Sequence, residues 1–108
     1  SELVKYYGLK SKVKFGSSND GDYDFDKDII ILRKNYPNVK EFVVSVLHEI
    51  HHAKQRQKFG LKKFLKKYNQ ASNMADLQGK DRYLHNKWER KAENWAQQEY
   101  KRYWKDKF

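Results

Sequence analysis

Cysteine is absent from this chain, proline occurs once and glycine five times in 108 residues. Without cysteine there is no disulfide framework, no thiolate zinc site and no thiol nucleophile. Any metal site must therefore be built from His, Asp or Glu. The scarcity of Pro and Gly excludes collagen-like and low-complexity classes. No apolar run approaches the ~18–20 residues needed to span a bilayer, and no secretory h-region is visible. The expectation is a soluble, cytoplasmic protein with no membrane partner, forming one domain over residues 1–108. The chain begins at Ser1 rather than Met, so a removed leader or a longer parent chain stays open.

What is abundant is aromatic and basic. Aromatics make up 16% of the residues, which argues against disorder, because disordered chains lack the large side chains that offset ordering entropy. The formal charge of +10 is uneven. Residues 1–52 carry 8 Lys/Arg and 8 Asp/Glu, whereas residues 53–108 carry 16 against 6. A basic half attracts polyanions through steering and counterion release, so nucleic acid or an acidic protein is an expected partner. The competing reading is a solvated helical surface that keeps a small protein soluble.

Pattern and punctuation suggest an α+β fold. Glu2–Tyr7 reads as a short helix stopped by Gly8. Lys12–Phe15, Asp22–Asp26 and Asp28–Leu32 read as three strands of a small antiparallel sheet, with Asp20–Gly21 as hairpin chemistry. Asn38 is placed to cap a helix whose apolar stripe is Phe42, Val43, Val46, Leu47, Ile50 and Ala53, with Gly60 at its end. Leu61–Tyr68 reads as a short basic helix. Asn69, Asn73 and Gly79 act as breakers after it. Asp81–Lys107 reads as one long C-terminal helix lined by Leu84, Trp88, Ala92, Trp95, Ala96 and Tyr103.

The sharpest feature is His48–Glu49–Ile50–His51–His52, an H-E-x-x-H match inside the capped helix. From the frequencies of His and Glu, a chance match is on the order of 1%. His48 and His52 lie one turn apart on one face, a spacing that lets two imidazoles reach a single ion. Zinc suits two neutral His, one carboxylate and an open fourth position for water. Glu49 is placed to take a proton from that water as general base. His51 points about 100° away from His48 and reads as a bystander. A third ligand has to come from elsewhere, and Glu89 and Glu93 are candidates on the C-terminal helix.

HEIHH followed by Glu89-x-x-Ala92-x-x-x-Ala96 resembles the gluzincin-type zinc metallopeptidases, especially the small ImmA/IrrE-like and phage-encoded ones. The resemblance spans about residues 12 to 96 and implies a minimal zincin-like core. It implies zinc held by His48, His52 and Glu89, with Ala92 allowing close helix approach. The position usually held by a supporting Asn or Asp is Glu93 here, which leaves open which carboxylate binds. It also implies that the Asp28–Leu32 or Asp22–Asp26 strand contacts the substrate.

Several features carry less. His85, one turn before Glu89, has the chemistry of a ligand or an oxyanion donor, but more often such a residue packs or faces solvent. The aspartates at 20, 22, 24, 26 and 28 lack the Gly and final Glu of a calcium loop and read as an acidic strand face. Trp88, Trp95 and Trp104 have the rings to stack bases, but their helical spacing favours core. The reading is a zinc metallopeptidase acting on a protein or peptide. The alternative is a basic phage, virion or nucleic-acid-associated protein that keeps zinc without significant hydrolysis. A third possibility is a basic DNA-binding module whose HExxH is accidental.

Overall fold

A computed structural model describes residues 2–16, 22–80 and 86–107. The architecture is α+β, as expected. Helix α1 (Glu2–Tyr6) precedes strands β1 (Lys12–Phe15), β2 (Asp22–Asp24) and β3 (Ile29–Leu32). Helices α2 (Val39–Phe59), α3 (Leu61–Leu77) and α4 (Lys87–Glu99) follow, and α4 runs into a π-helical turn, Tyr100–Trp104. Among the described residues no helix is long and apolar enough to cross a membrane.

The sheet is mixed rather than antiparallel throughout. Its order is β1-β3-β2, with β1 parallel to β3 and β2 antiparallel to it. β3 is the most apolar strand; its Ile30 and Leu32 are buried against α2. A strand that must be covered on its face and paired on both edges belongs in the centre. The hairpin therefore joins β2 to β3 through residues 25–28. There the Asp24 side chain accepts from the backbone N–H groups of Asp26 and Lys27, an Asx turn. Asp28 completes it with φ 56, and its carboxylate accepts from Ser11 and Tyr23. The acidic run thus serves local turn and strand contacts, and no Lys or Arg pairs with it among the described residues. The Asp20–Gly21 turn lies outside the described residues.

Helix α2 begins where Asn38 Oδ1 accepts from Glu41 N at 2.9 Å and ends where Gly60 adopts φ 81, ψ 156. It is buried on two sides. Val43, Val46, Leu47 and Ile50 face the sheet and Ala96 of α4. His48, Glu49, His52 and Gln55 are buried along the other side.

Two expectations about the later helices are corrected. Helix α3 does not stop at Tyr68 but runs on to Leu77. Phe64, Ser72 and Ala75 pack inward, while Asn69 and Asn73 face outward, where Asn costs a helix only a few tenths of a kcal/mol. Helix α4 does not start at Asp81. Its N-cap is Asn86, which accepts from Trp88 N at 2.8 Å and also donates to Ser72 Oγ and the Tyr68 carbonyl. The π turn adds residues to one turn and shifts the helix phase. Trp104 therefore packs on Tyr6 and Tyr7, and Tyr103, expected on the buried side, is 48% exposed. Trp88 and Trp95 pack as core or core edge. Leu84 and His85 lie outside the described residues.

Candidate metal centre

Two helices bring the chemistry together. On α2, His48 and His52 have ring centroids 5.1 Å apart. On α4, Glu89 lies in the first turn, where the helix N-terminus favours a carboxylate. Ala92 and Ala96 are fully buried between the helices, so no bulky side chain keeps the pair apart. The result is convergence on one oxygen. Glu89 Oε1 lies 2.9 Å from His48 Nε2 and 2.7 Å from His52 Nε2. The three ligand atoms all lie within 4.8 Å of one another, and all three residues are buried.

This donor set fits a zinc ion. Ligands about 2.0–2.2 Å from a tetrahedral ion sit about 3.4 Å from each other, a separation that small side-chain movements reach from the observed distances. Two imidazoles and one carboxylate are the ligand types zinc takes at sites that keep a position open. Each ligand is also braced from behind. His52 Nδ1 donates to Gln55 Oε1 at 3.0 Å, His48 Nδ1 faces Glu93 Oε2 at 3.3 Å, and Tyr68 donates its hydroxyl proton to Glu89 Oε2. Such partners set ring orientation and ligand basicity. The structure therefore separates the two candidate carboxylates. Glu89 meets both Nε2 atoms, whereas Glu93 meets only the far nitrogen of His48.

The electrostatics follow from burial and pairing. Burial disfavours the His48 imidazolium, but the hydrogen bonds to Glu89 and Glu93 and the charge of Glu49 outweigh it and raise its pKa to about 10. Burial also works against the Glu89 carboxylate, yet hydrogen bonds from His48 and His52 hold it well below the usual range. Glu49 is 5% exposed, and burial pushes its carboxyl up to about 7 against the pull of His52 and His48. Its Oε1 lies 3.9 Å from His48 Nε2, and its buried Oε2 has no hydrogen-bond partner among the described residues. A carboxylate beside the cluster with an unused oxygen is free to meet a water or a substrate proton. His51 turns away, its ring 5.2 Å from Trp95, and burial lowers its pKa to about 4.

The cluster forms the floor of a cleft of about 990 Å³. β2 contributes Asp22 and Tyr23 to one wall, and α4 contributes Arg90 and Asn94 to another. Phe25 closes the cleft beside His52, with ring centroids 5.8 Å apart, and Arg56 Nε holds the Phe25 carbonyl at 2.6 Å. Of the two strands expected near substrate, β3 is paired on both edges, and β2 keeps one edge free among the described residues.

Sequence reasoning missed Gln55 and Tyr68. Gln55 was within reach of a local signal, three residues after His52 on the same helix. Tyr68 arrives from α3, with no spacing that ties it to the motif. No protein-family model, curated protein or solved structure matches the chain.

Proposed function

We propose that this chain is a zinc-dependent metallopeptidase. The reading rests on one observation: His48, His52 and Glu89 converge at the floor of an open cleft with Glu49 beside them. His48, His52 and Glu89 would hold the zinc, which would supply Lewis acidity and make a water easier to deprotonate. Glu49 takes the proton of the attacking water and returns it to the departing amine as the peptide bond breaks. Gln55 and Glu93 hold the imidazoles in register, and Tyr68 holds Glu89. The free edge of β2 borders the cleft and suits an extended peptide added as a further strand. A cytoplasmic location, or a virion-associated one for a phage-encoded chain, goes with this reading.

The test is a paired variant experiment. Glu49→Gln is expected to retain zinc and lose cleavage of a mixed peptide pool by about 10²–10⁴-fold. His52→Ala is expected to lose zinc itself. A wild-type chain that binds no zinc, or a Glu49→Gln chain that cleaves as well as wild type, overturns the reading.

A second observation favours a polyanionic partner. Lys58 and Lys67 lie over the Phe59 ring, and Lys87 and Lys91 lie over Trp88. Phe59 and Trp88 touch edge to face, so four ammonium groups surround one aromatic pair. Nucleic acid fits such a belt, either as a tether for the peptidase or, if Glu49→Gln changes nothing, as the main partner of a zinc-holding structural protein.

A further inference from the structure

Two cations line the cleft, and they differ in their surroundings. Arg90 on α4 is exposed and hydrated. Arg33 follows the last residue of β3, lines the end of the cleft where α2 begins, and is half-buried. Its guanidinium lies over the Tyr36 ring, 5.2 Å from the centroid. Tyr36 is itself fixed: its hydroxyl accepts from Arg33 N at 3.0 Å, lies 3.1 Å from Ser45 Oγ, and its ring meets Phe42 edge-on. Ser45 precedes His48 and Glu49 by about one helical turn, roughly 5 Å along the axis. Arg33 Nε is buried, and among the described residues it has no hydrogen-bond partner and Arg33 joins no ion pair.

A guanidinium stacked on an aromatic face keeps its in-plane N–H fork available for a bidentate acceptor. Holding that plane in advance lowers the ordering cost of binding. A partly desolvated cation without an anion gains more from an incoming carboxylate than a hydrated one does. The other walls of the cleft carry Asp22 and Glu93, which repel a carboxylate, while Glu41 lies in the first turn of α2, at the same end as Arg33. Of the two cations on the walls, Arg33 is the one whose guanidinium is held in advance and partly desolvated.

We propose that Arg33, held on Tyr36, is a specificity-determining residue that binds a carboxylate of the peptide about one helical turn from Glu49. The inference rests on the metallopeptidase reading for the identity of the ligand as a peptide. Two sources supply the carboxylate: an Asp or Glu side chain, or a free C-terminus.

The test uses binding, so that hydrolysis is not needed. Fluorescein-labelled peptide pools are titrated into zinc-loaded Glu49→Gln protein and read by anisotropy. The pools carry Glu or Gln at one scanned position and end in a free acid or an amide. The expected result is an affinity about 10- to 100-fold higher for one acid form than for its neutral counterpart. A Glu-over-Gln preference assigns the side chain, and an acid-over-amide preference assigns the C-terminus. Adding Arg33→Gln is expected to abolish the difference while leaving neutral pools unchanged, and Arg33→Lys to keep part of it. Equal binding of acid and neutral pools, or a preference that survives Arg33→Gln, overturns the proposal. If Arg33→Gln fails to fold, Arg33→Lys stands in for it: a reduced preference supports the proposal and an undiminished one overturns it. An Arg33-dependent preference in a chain that cleaves nothing leaves this site standing and removes the peptidase reading. Zinc-dependent cleavage without any preference does the reverse.

Discussion

At the scale of single residues, Glu89 and Glu93 meet the imidazoles on different sides. Glu89→Ala removes the only carboxylate among the described residues that meets both Nε2 atoms and is expected to abolish zinc binding. Glu93→Gln and Gln55→Ala act through the far side of an imidazole and are expected to weaken zinc about 10- to 100-fold. Competition with a chelating dye measures all three. His48 adds a pH effect. Its raised pKa of about 10 means that an imidazolium must give up its proton before it can ligate. Zinc affinity is expected to rise with pH up to that value. Calorimetry in buffers of different ionisation enthalpy is expected to show proton release. In the metal-free chain the sign is opposite. The raised pKa stabilises the fold fully below the ordinary value of 6.5, and this contribution is lost as pH rises through about 10. Urea midpoints of the metal-free protein check it.

At the scale of elements, the site depends on where α4 starts. Asn86 is fully buried and caps α4 while holding α3 through Ser72 and the Tyr68 carbonyl. Losing the cap costs about 1 kcal/mol, and the stranded polar partners add to it. Asn86→Ala is therefore expected to lower the unfolding free energy by about 2–3 kcal/mol and to weaken zinc binding as Glu89 loses its position. Gly60 joins α2 to α3 at φ 81, ψ 156, a region that side chains scarcely enter. Gly60→Ala is expected to cost about 1–3 kcal/mol through backbone strain alone, read by urea denaturation.

At the scale of the whole molecule, the proposed metal and the net charge bear on the same small core. A ligand present at about 100 times its Kd stabilises the native state by about 2.7 kcal/mol. Removing zinc with a chelator is therefore expected to lower the thermal midpoint by about 10 °C, and adding zinc back to restore it. A chain whose midpoint ignores both treatments has no structural metal. The formal +10 predicts duplex DNA binding that falls steeply with salt. Replacing Lys58, Lys67, Lys87 and Lys91 with Gln is expected to flatten that slope. Electrophoretic shift across a salt series measures both.

Some of this was legible in the residues alone because it is local. A two-His, one-Glu spacing on one helix, the Asn38 cap, the Gly60 stop and the α+β class each depend on neighbours within a few positions, where periodicity and backbone sterics act. The rest depended on contacts distant in the chain. β3 took the middle of a mixed sheet because its apolar side chains needed cover on both sides. α3 outran its breakers because its inner face was buried. Only packing of α4 against α2 decided that Glu89 meets both imidazoles and that Glu93 stands behind one of them, and only the placing of α3 and of the end of β3 beside α2 brought Tyr68 and Arg33 to the cleft.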